Sequence, residues 1–160
     1  MNGLEPSKRI SQRALTLWRI YGAIYTSVTL LLTIGGIILM MLFDWPWWLI
    51  AIAAAILVLE TVFLIWLIPS IRWKRWRYEV TEQDIELQHG LFIITRTLVP
   101  MVRVQHVDTE QGPLLRKFKL STISISTAAT VHEIPALDEE EAEHLRQSIS
   151  SFARVAEEDV

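Results

Sequence analysis

The residue types able to do chemistry are few and scattered in this chain. Glu60 stands alone among apolar neighbours, four histidines (His89, His106, His132, His144) are isolated from one another, and cysteine is missing. A carboxylate inside an apolar run is costly to ionise and turns towards protein or water, often with a role there. Three readings of Glu60 stay open: a protonated acid hydrogen-bonded inside the protein, a contact with another membrane subunit, or a proton- or ion-coupling group. The nearest thing to a metal-ligand pair is His106-x-Asp108, which shares one face of an expected strand but has no third ligand at a suggestive spacing; strand polars are the plain expectation. No Ser/His/Asp constellation and no phosphate-cradling glycine loop is present. The lack of cysteine removes disulfides, thiolate metal sites and thiol nucleophiles. The residues therefore name no catalytic group, no metal and no cofactor, and the chain is expected not to be an enzyme.

What positions Glu60 is a pair of apolar stretches, 20–43 and 45–71, separated by Asp44. The first carries no charged residue over its 24 positions and the second only Glu60 over 27. About 20 apolar residues cross roughly 30 Å of hydrocarbon, so both are long enough to span. The first is too long for a secretory signal core, lacks an A-x-A ending and meets the second run at once, so the hairpin is expected to remain in the mature chain. Gly22, Thr26, Thr29, Thr33 and Gly36 recur at a 4-3-4-3 spacing, which gathers them on one helical stripe suited to close helix approach. A short turn makes the two helices antiparallel neighbours. Counting back from it sets Glu60 at the depth of Thr29 and Thr33, its expected partners within the membrane.

Charge then sets the orientation. Residues 1–77 hold 8 Lys and Arg against 3 Asp and Glu; residues 78–160 hold 7 against 15. Lys8, Arg9, Arg13 and Arg19 precede the first apolar run, and Arg72, Lys74, Arg75 and Arg77 follow the second. Basic flanks stay on the cytoplasmic side, so a two-span plasma-membrane protein with both termini cytoplasmic is expected. Trp45, Trp47 and Trp48 would then lie at the outer interface. The acidic second half argues against nucleic acid as a partner. Arg72-Trp73-Lys74-Arg75-Trp76-Arg77 interleaves cations with indoles, a collar expected to contact membrane lipids at the inner leaflet.

Five segments follow: an N-terminal arm (1–19) with a helical stripe of Ile10, Ala14, Leu17 and Tyr21; the membrane hairpin (20–71); the collar (72–77); a domain at 78–155; and a frayed tail (156–160). In the domain, Tyr78–Val80 and Ile85–Leu87 alternate around the turn Thr81–Asp84 and read as a strand hairpin. Leu91–Val99 reads as a third strand and Val102–Val107 as a fourth, with a slip in alternation that predicts a bulge near Gln105-His106. Leu114–Phe118 suits one helical turn, Leu120–Thr127 a strand, and Val131–Ile134 a last strand. Asp138 reads as the N-cap of a helix, with Glu141 completing a capping box. Ala142, Leu145, Ile149 and Phe152 make its apolar stripe.

These residues go further than a pattern. The runs Leu98–Val107, Gln111–Phe118, Leu120–Thr127 and Ile134–Leu137 resemble the bacterial pleckstrin-homology domain, and with the hairpin the whole chain looks like the YdbS-like membrane-anchored members of that family. The resemblance implies a two-helix transmembrane hairpin followed by a mainly-β pleckstrin-homology-like barrel or sandwich with a C-terminal α-helix. Lys119 stands where a glycine commonly follows the aromatic residue, and Ala129 where the Thr-Ala pair usually precedes a glycine. Function is then expected to be non-catalytic binding or scaffolding beside a second membrane protein, one with the same domain or a second copy of this chain. Lipid sensing and a membrane enzyme or proton-coupled subunit built on Glu60 are the alternatives. The first strand hairpin carries Glu79, Glu82, Asp84 and Glu86, which would repel a polyphosphate head group. The exposed cations Arg103, Arg116, Lys117 and Lys119 are expected to gather into one rim patch for an acidic partner.

Overall fold

The computed structural model describes residues 6–158. The chain divides into two compact units, one of Trp18–Ile71 and the other of Met1–Leu17 with Arg72–Val160.

The first unit is a helical hairpin. Helix α1 runs Arg13–Leu42 and α2 Trp47–Val62; the second continues through a π-helical turn at Phe63–Leu67 into α3, Ile68–Arg75. Both are long and apolar enough to cross a membrane, and the span-length windows within them bury no residue in protein. The turn between them is built by Asp44, which takes a left-handed backbone (φ 52°). With it there, the Trp45 N–H reaches back to the Met40 carbonyl at 2.9 Å, a closing bond of the Schellman type. Aspartate tolerates this conformation better than most residues, which is why a polar residue interrupts the apolar run at that point. Pro46 then precedes the first turn of α2.

The π turn has a sequence cause. Pro69 has no N–H for the carbonyl four residues back and its ring crowds that turn, so the helix widens by one residue just before it. The displaced Leu64 carbonyl is received by Gly22: a Cβ at that position would lie 2.5 Å from the oxygen. Gly36, at the other end of the same stripe, meets nothing within 4 Å.

The second unit is a two-sheet sandwich capped by a helix. Strands β1 (Lys8–Arg9), β2 (Arg77–Val80), β3 (Asp84–His89) and β4 (Thr95–Pro100) form one antiparallel sheet in that order. Strands β5 (Val104–Glu110), β6 (Leu120–Thr127) and β7 (Val131–Asp138) form the other. A short 3-10 turn, Met101–Arg103, makes the corner between sheets, and α4 (Pro113–Lys117) links β5 to β6. Helix α5 (Glu139–Glu158) lays Ala142, Leu145 and Ile149 into a core with Tyr78, Ile85, Leu87, Val99, Met101, Leu120, Ile123, Ile125, Ile134 and Leu137.

The expected β2–β3 hairpin pairs as read, with Tyr78 opposite Leu87 and Val80 opposite Ile85. The β5 register shifts between Val104 and His106, the predicted bulge. β7 runs past Ile134 because its register shifts across Pro135-Ala136, with Ala136 at φ 52°. A bulge is a place where a strand admits a proline.

Four expectations are corrected. Residues 91–94 are not strand: four consecutive apolar residues cannot all face a core at period 2, and they form an exposed loop before β4. The arm at 1–19 is not a separate segment, since Lys8 and Arg9 pair with Tyr78 and Arg77. Ile10 (2% exposed), Ala14 (0%) and Leu17 (2%) lie in the core of the sandwich unit, whereas Tyr21 belongs to the hairpin. Asp138 ends β7, and its carboxylate accepts from the Ser11 hydroxyl at 3.1 Å and pairs with Arg13 at 3.5 Å. It directly precedes α5, at the N-cap position as read, but its side chain is engaged with the arm, and the Glu139 N–H reaches the Lys119 carbonyl. The tail call at 156–160 falls partly outside the described residues; α5 itself extends to Glu158.

Candidate functional site

Glu60 lies on the inward stripe of α2, and the Thr29 hydroxyl of α1 stands 3.0 Å from its Oε1. Thr33 does not reach the carboxyl; its hydroxyl donates to the Thr29 carbonyl at 2.8 Å, a local bond that competes with any cross-helix one. The Thr29 Oγ1 also stands 3.1 Å from the Tyr25 carbonyl. The Thr29 hydroxyl is the donor in both contacts, so it is shared between a local carbonyl and the carboxyl across the hairpin. In the same unit, Arg19 lies over the Trp66 ring at 5.3 Å.

The collar divides between structure and surface. Trp76 is not an interface indole: it is 5% exposed, stacked obliquely on His89 with ring centroids 5.7 Å apart. The side chain is buried because its neighbours Arg77 and Tyr78 already run into β2. Trp73 donates its indole N–H to the Ser11 carbonyl at 3.1 Å and carries Arg9 over its ring at 5.9 Å. Arg75 donates to the carbonyls of Leu91 and Phe92. Arg72 and Lys74 are exposed, and Arg77 lies half-buried in β2.

The four cations do not form one patch. Arg103 precedes β5, while Arg116, Lys117 and Lys119 follow its far end, and seven strand residues at about 3.3 Å each separate the two places by roughly 20 Å. Arg103 lines a groove of about 840 Å³ with Pro100, Gln105 and Thr130. Lys119 lines a different one with Ser11, Arg13 and Asp138. The reason is chain direction: a strand, not a turn, joins the two groups. Lys119 also explains the glycine expected there, since its φ is 53°. Ala129 carries no such strain, its φ being negative.

The histidines stay apart. His106 and Asp108 are exposed on β5, and among the described residues no group of three potential ligands converges. His89 is held towards its neutral form by burial and, secondarily, by the Arg72 charge, and its Nδ1 is buried without a hydrogen-bond partner. Tyr78 Oη donates to Glu141 at 2.7 Å, tying β2 to the first turn of α5; burial first, and that acid second, push the phenol well above its ordinary value of 10.0. On the outer face of α5, hydrogen bonds from Arg146 and Gln147 hold Glu143 down to about 2. The first hairpin places Glu79 directly opposite Glu86.

A helical hairpin joined to a two-sheet, helix-capped sandwich defines a membrane protein bearing a pleckstrin-homology-like domain. The family model for the bacterial PH domain matches residues 23–153, and the chain belongs to that family. It is 50% identical over 156 residues to the UPF0699 transmembrane protein YdbS of Bacillus subtilis (strain 168), covering 98% of each chain. It is also 29% identical over 94 residues to the UPF0699 transmembrane protein YdbT of the same organism, covering 55% of this chain and 19% of that one. No solved structure gives a significant match.

Proposed function

We propose that the chain is a non-catalytic membrane module: two spans, both termini cytoplasmic, presenting the sandwich domain to a second membrane protein that carries a related domain. The observation that carries this reading is the relation to YdbT, in which a similar 94-residue stretch makes up 19% of a larger transmembrane protein. Related domains in two membrane proteins of one organism suit like-with-like assembly, which needs no reaction centre. The topology rests on the basic flanks on either side of the hairpin and on the turn free of Lys and Arg. The partner surface is assigned to Arg116, Lys117 and Lys119 beyond β5, facing an acidic partner, and Glu60 to contact within the membrane.

Cross-linked native membranes, solubilised in mild detergent and purified through a tag on this chain, test it. A stoichiometric second membrane protein is expected, lost when Arg116 and Lys117 are both reversed to Glu while the chain stays folded and inserted. Recovery of the chain alone, or retention of the partner by the reversed variant, refutes the assignment. Single cysteines at Asp44 and Ser150 give the topology: labelling of Ser150 from outside intact cells overturns it.

A further inference from the structure

The loop between β3 and β4 presents Phe92, Ile93 and Ile94 outward, with Leu91 half-buried beside them, from an otherwise acidic domain. Phe92 is 90% exposed, Ile93 82% and Ile94 51%, an apolar tip that nothing among the described residues covers. Its shape is fixed rather than slack. Gly90 adopts φ 135°, and a Cβ there would run into the Ile93 carbonyl, so the chain folds back on itself only with glycine at that point. The Arg75 guanidinium grips the carbonyls of Leu91 and Phe92. Arg75 is the last residue of α3 and stands four residues beyond Ile71, the end of the apolar run. At about 1.5 Å per helical residue, that is some 6 Å of helix.

Charge agrees with position. Between Glu86 and Asp108 there is no acidic residue, although the domain is rich in them, and the stretch carries Arg96 and Arg103. Arg96 is directed by a 2.9 Å bond to the Gln88 amide oxygen, on the β3 strand that leads into the loop. An apolar tip, bracketed by cations and gripped by a residue at the membrane exit, fits the interfacial layer of an anionic bilayer. A second protein would need an apolar pocket of its own at that depth.

We infer that residues 91–94 insert into the lipid interface as a second membrane anchor, fixing the orientation of the domain on the leaflet where the second span emerges. This rests on the membrane-spanning reading of the hairpin. The chain has no cysteine, so single cysteines at Phe92 and at Ser151 can each carry a polarity-sensitive fluorophore on the full-length protein, reconstituted in phosphatidylcholine and phosphatidylglycerol vesicles. At position 92 the expected result is a blue-shifted emission, loss of intensity with nitroxide-labelled lipid, and protection from aqueous iodide. At Ser151 the expected result is the reverse. A water-like, iodide-sensitive label at 92 overturns the inference; protection from both quenchers overturns it in favour of contact with a second copy. A label at Asp44, read in the same vesicles, reports the hairpin separately, so failure of insertion and failure of the spanning reading are distinguished.

Discussion

Truncating Ile10 to alanine should destabilise a domain whose larger part, from Arg72 onward, begins more than sixty positions later. Ile10 is 2% exposed, beside Ala14 and Leu17, in the sandwich unit. The change removes three carbons; at about 0.8 kcal/mol per buried carbon the transfer loss is roughly 2.4 kcal/mol. The cavity left behind raises that to about 3–4 kcal/mol, inside the usual range for such truncations. For a unit of this size each kcal/mol moves the midpoint by about 4–8 °C, so a fall of more than 10 °C is expected. Pulse proteolysis of the full chain in detergent, reading cleavage between 78 and 158 against temperature, measures it. Lys8→Ala, at an exposed β1 position, should change the midpoint little. An Ile10→Ala midpoint within 2–3 °C of the parent would refute the arm as part of the core.

Glu60→Gln keeps an acceptor for the Thr29 hydroxyl and should leave the hairpin and its complexes intact, whereas Glu60→Leu strands the Thr29 contact and should weaken assembly, both read by co-purification; loss of function in both variants with normal assembly would favour proton chemistry instead. Gly22→Val drives a side chain into the Leu64 carbonyl, where a Cβ alone already lies 2.5 Å away, and should splay the helices, seen as loss of a disulfide engineered between α1 and α2. Tyr78→Phe should cost about 1–2 kcal/mol by removing the donor to Glu141. Because the folded phenol holds its proton above its ordinary value of 10.0, the parent's stability from this group is full below pH 10 and declines as pH rises beyond it. The Phe variant should lack that decline in a pH series of unfolding midpoints.

Much of the fold was legible because its signals are local. Apolar length identified the hairpin, period 2 identified β2, β3 and β6, and the slipped alternation at Gln105-His106 located a register shift that the β5–β6 pairing contains. Strand limits failed where a local rule has a non-local exception. Pro135 reads as a strand end, yet β7 continues to Asp138 because the bulge at Pro135-Ala136 removes the need for the missing N–H. Leu91–Ile94 reads as strand from composition, yet a glycine held at φ 135° turns the chain out of the sheet just before it. Four apolar residues in a row, with no alternation, were the signal that this stretch has one face and not two.

The arm and the collar show why charge patterns alone do not assign a role. Lys8, Arg9, Arg72 and Arg75 all satisfy the flank rule for a membrane span, and the rule is indifferent to what else they do. In the folded unit Arg9 lies over Trp73, Arg75 holds the 91–94 loop, and Lys8 and Arg9 supply an edge strand. Residues on either side of a long hairpin can close one domain because an antiparallel hairpin returns the chain to the side it left. Residues 18–71 are therefore a long insertion in the sequence of the sandwich unit. It follows that the domain cannot be complete from 78 onward: Ile10, Ala14, Leu17 and Trp76 are core, and a fragment starting at Tyr78 lacks them all. The ionic pairing of Arg13 with Asp138 and the Ser11 contacts to Asp138 and Trp73 tie the same arm to the start of α5 and to the exit of the second apolar helix.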